Sequence, residues 1–132
     1  MALKCRAALV TLADRTDDIL VRFYTELLGQ EPVQWVPSVY AEFHLPGLRL
    51  GIFNPKRSHQ VEFASSSRGG MSLCIEVERL EDAIAAVHHA YTSMHLPLPK
   101  QPTLSDIIIA SHGREVYAYD PNGNRLILHE GN

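Results

Sequence analysis

The chain has little that would commit it to a covalent framework, to nucleic acid or to a membrane. It has only two cysteines in 132 residues, Cys5 and Cys74, too few for a disulfide scaffold. Both stand in strand-like apolar runs, which predicts buried free thiols and, with them, a cytoplasmic protein. Excess positive charge is also missing. Twelve Lys and Arg stand against fifteen Asp and Glu, so no long-range field draws the chain to nucleic acid or to an anionic bilayer. No apolar run approaches the ~20 residues that span a membrane. The opening MALKCRAALV has neither a signal-peptide apolar region nor a cleavage site. The length and composition suit one domain, residues 1–132, with a sizeable core.

What is present is punctuated periodicity. Residues 4–12 are apolar and β-prone and predict a first strand. Asp14-Arg15-Thr16-Asp17-Asp18 is helix-start chemistry, with Thr16 as the expected N-cap. Ile19, Leu20, Phe23, Leu27 and Leu28 recur at helical spacing, and Gly29 ends the run. Strands follow over 32–36, 39–44 and 48–53, the last two joined by a Leu45-Pro46-Gly47 turn. Residues 55–69 read as a polar linker, with 61–63 lightly paired. Residues 71–77 are strand-like, and 80–94 carry Leu80, Ala83, Ile84, Val87 and Tyr91 at helical spacing. The proline-rich 95–103 predicts an edge strand or extended loop, and 104–111 a strand.

The most informative stretch is the last, Glu115 to Glu130. Val116 and Ala118 alternate with Tyr117 and Tyr119. Asp120-Pro121-Asn122-Gly123-Asn124 is turn chemistry. Arg125, Ile127 and His129 then alternate with Leu126 and Leu128, the period of a strand with two unlike faces. This hairpin lines up with VYAEFHLPGLRLGIF in the first half: Gly47 matches Gly123, Arg49 matches Arg125 and Leu50 matches Leu126. Both halves thus read β-α-β-β-β. In a repeat of this kind a unit cannot bury its apolar face alone. Leu48, Leu50, Ile52, Leu126 and Leu128 are expected under the helices, and the opposite face is left to surround a cavity.

The DPNGN turn and its following strand, FYTELLGQEP at the first helix end and MSLCIEVERLEDAIAAV in the second unit resemble, in that order, the vicinal oxygen chelate (glyoxalase/bleomycin-resistance/dioxygenase) superfamily over essentially the whole chain. The resemblance implies an α+β fold of two βαβββ modules, about 4–54 and 70–130, forming an incomplete barrel around a crevice. It also implies a homodimer as the common assembly. The family's metalloenzymes hold a divalent ion with His, Gln or Glu on four strands. The matching positions here are about Ala8, Gly51, Ser72 and Ile127, none of them one of those ligand types, so no metal and no cofactor is expected.

Seven histidines are candidates for other chemistry. His88 and His89 are adjacent on a helix, about 100° apart, and are not a ligand pair. His59 and His112 are placed in solvent, and His95 is uninformative. His129 shares a face with Arg125 and Ile127, and His44 with Tyr40 and Glu42. His129, Glu42 or Glu76 could serve as a general base or a shifted metal site, or could be rim residues bonded to solvent. Arg49 and Arg125 either make the cavity cationic, suiting a carboxylate, or pair with an acid such as Glu42. Phe53, Tyr117 and Tyr119 would add aromatic walls, as would Trp35 and Tyr40. The ligand-binding set expected from this pattern is Arg49, Phe53, Ser72, Glu76, Tyr117, Arg125 and His129.

Three functions fit. The first is metal-independent binding of a small molecule, anionic or partly aromatic, as the bleomycin-resistance relatives imply. The second is a divalent-metal-dependent lyase, isomerase or dioxygenase with an atypical site. The third is a dimeric partner domain with a vestigial crevice.

Overall fold

The structure, a computed structural model, describes residues 1–64, 69–96 and 104–132. Its elements run β1 (Val10–Ala13), α1 (Ile19–Leu28), β2 (Gln34–Val36), β3 (Tyr40–Leu45), β4 (Leu48–Phe53), a 3-10 helix (Arg57–Phe63), β5 (Leu73–Glu76), α2 (Leu80–Ser93), β6 (Ile108–Ala110), β7 (Gly113–Tyr119) and β8 (Arg125–Gly131). The strands form two four-stranded sheets among the described residues, ordered β1-β4-β3-β2 and β5-β8-β7-β6. In each sheet the strand before the helix runs parallel to the last strand, and the other pairs are antiparallel. The two βαβββ modules expected from the repeat are therefore present as an α+β fold with no closed barrel.

The helices and one face of each sheet make a common core. Leu50 and Ile52 of β4 and Leu126 and Leu128 of β8 lie in it with Leu20, Phe23, Tyr24, Val87 and Tyr91 of the helices. Leu48 is partly buried against the same cluster. Phe23 meets Tyr91 edge-on at 5.0 Å, which locks α1 to α2. Alternation does the rest: with leucines at 126 and 128 turned to the helices, residues 125, 127 and 129 must face away. Gly47 and Gly123 both take positive φ, 76° and 83°, which is the backbone reason the two hairpin turns match in sequence.

Several local expectations are corrected. The first strand is shorter than 4–12, so Ala8 precedes β1. Thr16 does not cap α1; the residue before the helix is Asp18, which makes no side-chain cap bond. The buried carboxylate of Asp14 does the work instead. It accepts from the Thr16 amide at 2.8 Å and hydroxyl at 2.6 Å, and from the Leu20 amide at 3.2 Å. Residues 61–63 belong to the 3-10 helix, not to a sheet. Cys5 and Cys74 are free but exposed, because Cys5 precedes β1 and Cys74 lies on the face of β5 turned from the core. The expected segments at 65–68 and 97–103 lie outside the described residues.

Candidate functional site

Strand register aligns the residues facing away from the helices. In the second module Tyr119 lies opposite Arg125, Tyr117 opposite Ile127 and Glu115 opposite His129. On the other side of β8, Cys74 lies beside Ile127 and Glu76 beside His129. Partial desolvation first, and then the carboxylates of Glu115 and Glu76, push the Cys74 thiol above its usual pKa. The first module repeats the pattern, with Tyr40 opposite Phe53, Glu42 opposite Gly51 and His44 opposite Arg49. Thr11 lies beside Gly51 on β1.

The two matched arginines differ in their partners. Arg49 grips Glu42 with two bonds, Nε to Oε2 and Nη2 to Oε1, each 3.0 Å. Tyr40 donates its hydroxyl to the same carboxylate at 2.7 Å, and His44 Nε2 lies 2.7 Å from it. The Arg49 bonds first, then those of Tyr40 and His44, hold the Glu42 carboxyl down at about 2. A carboxylate so held is a poor proton acceptor near neutral pH, so Glu42 does not suit the general-base role. Arg49 thus takes the second of the two alternatives open to it, pairing with Glu42, and its charge is already matched.

Arg125 has no carboxylate partner among the described residues. Its Nε donates to Ser72 Oγ at 2.7 Å, and its Nη2 donates to the Gly69 and Met71 carbonyls. These acceptors are neutral, so they orient the guanidinium without cancelling its charge. Arg125 and Ser72 line a cleft of about 310 Å³ with Thr11, Met71 and Asn124. The cleft joins the modules, since β1 forms one wall and residues 69–73 the other. A neighbouring hollow of about 210 Å³ continues past Thr11 and Asn124 to Phe63. There Phe63 packs edge-on against Phe53 at 5.2 Å. A larger hollow of about 380 Å³ between the helices and β5 is lined by Leu27, Leu28, Ile75, Val77 and Leu128; it holds none of the expected site residues.

The residues at the family's metal positions do not fit a metal. Ile127 has no donor atom, and Gly51 has no side chain. A Cβ on Gly51 would stand 2.8 Å from the Tyr40 hydroxyl and 3.3 Å from Leu9 Cδ1, so that space is already filled. The Ser72 hydroxyl accepts from a cationic guanidinium, a poor place for a divalent ion. Directly beside Gly51 in the register lies Thr11, and directly beside Ile127 lies Cys74.

The structure therefore gathers Ser72 and Arg125 in one cleft, with Tyr119 directly across from Arg125. Phe53 lies at the margin with Phe63. Tyr117, Glu76 and His129 share the same sheet face farther along it, and Arg49 is tied up in the first module. Two features escaped the sequence. Asp120 is a buried hub that accepts bonds from Tyr24, Asn122 and Asn124. His112 is exposed as expected, yet its ring stacks on that of His129 at 4.9 Å. The Glu115 carboxylate lies near a nitrogen of each ring; only register could have brought it there.

No family model and no curated protein matches the chain. Solved structures do. A glyoxalase-related enzyme from Fulvimarina pelagi is 22% identical, covers 98% of this chain and 89% of its own, and superposes with a TM-score of 0.70. The bleomycin-binding protein of Streptomyces verticillus, in complex with copper(II)-bleomycin, is 21% identical over 99% of this chain and 100% of its own, with a TM-score of 0.63. A genomically encoded fosfomycin resistance protein from Listeria monocytogenes is 15% identical over 98% and 96%, with a TM-score of 0.62. By these likenesses and by its paired modules, the chain has the fold of the glyoxalase/bleomycin-resistance proteins, that of the vicinal oxygen chelate superfamily.

Proposed function

We propose that this protein binds an anionic, partly aromatic small molecule in the cleft between β1 and residues 69–73, and that it does so without a metal. The observation that carries this reading is the Arg125 guanidinium, whose partners among the described residues are all neutral acceptors at the cleft. A carboxylate arriving there meets a fixed cation whose Nη1 makes none of those bonds. Phe63, lining the adjoining hollow and packed edge-on against Phe53, supplies ring surface for the rest of the ligand. Binding proteins with this fold, including the one that holds copper(II)-bleomycin, support a role in small-molecule capture. A metal-dependent lyase, isomerase or dioxygenase of the usual kind would need donors that Gly51 and Ile127 do not supply.

The protein acts as a homodimer in this reading. Val33, Trp35, Val36 and Val39 leave apolar surface exposed at and beside the β2 edge strand, and a second copy would cover it. Two free thiols fit a reducing compartment, the cytoplasm. The charge balance supports no nucleic-acid partner, and none of the described helices is long and apolar enough to cross a membrane.

The test is a thermal-shift screen of aromatic and aliphatic carboxylates against their amides, in the presence of a chelator. A ligand at a hundredfold excess over its dissociation constant stabilises the fold by about 2.7 kcal/mol. Carboxylates should raise the melting temperature more than amides. Arg125→Ala should erase that difference, and Arg49→Ala should retain it. Equal shifts from acids and amides would defeat the proposal.

A further inference from the structure

We propose that His112, Glu115 and His129 form a binding site for a divalent transition-metal ion, separate from the Arg125 cleft. The three residues come from the turn before β7, from β7 and from β8. Their ligand atoms all lie within 4.8 Å of one another. His129 Nδ1 stands 3.3 Å from Glu115 Oε2, and His112 Nε2 stands 4.0 Å from the same oxygen. Two donors bound to one ion at about 2.1 Å are ~3.4 Å apart at a tetrahedral angle. The Glu115–His129 edge already has that spacing. The His112–Glu115 edge needs to close by roughly half an ångström. The His112 ring must also turn out of its stack on His129 so that both nitrogens aim at the ion, a rotamer change open to a side chain that is 65% exposed.

The surroundings favour a built site over a chance meeting of surface groups. His129 and Glu115 side chains are only 12% and 19% exposed, and they stand directly opposite each other in the β7–β8 ladder. Their positions are set by the sheet, not by loose rotamers. The third donor is set by Gly113. A side chain there would run into the Glu130 carbonyl, and its φ of 143° disfavours other residues. That close approach brings His112 back over His129, where the rings stack at an interplanar angle of 22°.

Two imidazoles and one carboxylate select the metal by donor type. Nitrogen donors suit Zn²⁺, Co²⁺, Ni²⁺ and Cu²⁺, whereas Mg²⁺ and Ca²⁺ prefer oxygen. Three protein ligands leave at least one coordination position for water or another small donor. Glu76 lies beside His129 on β5 and faces the same space. The site is four residues along β8 from Arg125, about 13 Å at ~3.3 Å per residue. It therefore makes no demand on the cleft, and either proposal can fail without the other.

The experiment is calorimetric titration of the chelator-stripped protein with Zn²⁺, repeated with Mg²⁺ and followed by the visible spectrum on adding Co²⁺. One Zn²⁺ should bind per chain, and Mg²⁺ should not compete. His112→Ala, Glu115→Gln and His129→Ala should each weaken Zn²⁺ at least tenfold, while His59→Ala should not. His112 is exposed, so His112→Ala keeps the test valid should His129→Ala fold poorly; circular dichroism checks each variant. Absence of saturable Zn²⁺ binding overturns the proposal, as does binding that none of the three substitutions weakens. Carboxylate shifts persisting in these variants would show that the Arg125 cleft stands independently.

Discussion

Removing one hydroxyl, in Tyr24→Phe, tests how the two modules are tied together. Tyr24 is on α1 of the first module and Asp120 begins the DPNGN turn of the second. Both are buried, and the Tyr24 hydroxyl donates to Asp120 Oδ2 at 2.8 Å. The other oxygen of that carboxylate accepts from the Asn122 and Asn124 amides at 2.9 Å each, and the Asn124 side chain donates to Oδ2 at 2.8 Å. Burial raises the Asp120 carboxyl above its usual pKa, against the pull of the Asn124 and Tyr24 bonds. Burial, reinforced by Asp120, pushes the Tyr24 hydroxyl well above its own, so the phenol stays a donor. A bond of this kind to a charged acceptor is worth roughly 1.5–3 kcal/mol. Phenylalanine fills the same space with no replacement donor, so a loss of ~2 kcal/mol is expected. In a domain of this size that lowers the melting temperature by roughly 8 °C. Urea unfolding gives the free energy directly, and the pair with Asp120→Asn in a double-mutant cycle isolates the coupling. A change under about 0.5 kcal/mol, with additive single mutants, would refute the claim that this bond joins the modules.

Two further substitutions probe the faces of the sheets. Leu126 is fully buried under α2, so Leu126→Asp should unfold the protein, since an unpaired buried carboxylate costs several kcal/mol against a typical stability of roughly 5–15 kcal/mol; an unchanged melting curve would show the faces to be reversed. Glu42 is the acid-sensitive group of the first module. Its folded pKa of about 2 lies below the unfolded value of 4.5, so its contribution is present above pH 4.5 and lost as the pH falls towards 2. The stability gap between wild type and Glu42→Gln, read from urea unfolding, should be largest near neutrality and shrink across that window. A gap independent of pH would mean that Glu42 is not held as an anion.

The fold was legible in the sequence because both modules announce themselves twice, through alternation and through hairpins that match at Gly47 and Gly123. Leu50, Ile52, Leu126 and Leu128 are buried as their spacing requires. The site was legible only in part. Arg49 and Arg125 look equivalent in the alignment, yet among the described residues one has a carboxylate partner and the other has none. The reason is diagonal pairing across the hairpin. Glu42 lies opposite Gly51, which has no side chain to block its reach to Arg49. The corresponding neighbour of Arg125 is Tyr117, opposite Ile127, which offers no charge. That distinction needs the register, and a one-residue error in register reverses it. The role of Asp14 at the start of α1 was hidden for a similar reason. Its carboxylate reaches the Leu20 amide six residues on, beyond the spacing of an ordinary N-cap. The cluster around Glu115 needed three pieces of chain at once.

The most direct test of the proposed function reads the two guanidinium groups separately. The Nε–Hε resonances of Arg49 and Arg125, assigned with the two alanine variants, can be followed by NMR while an aromatic carboxylate identified in the thermal screen is added. The Arg125 signal should shift with saturation as the ligand fills the cleft. The Arg49 signal, already bonded to Glu42, should stay in place. A titration that moves Arg49 alone, or leaves Arg125 unmoved while the ligand binds, would contradict the assignment of this cleft as the anion site.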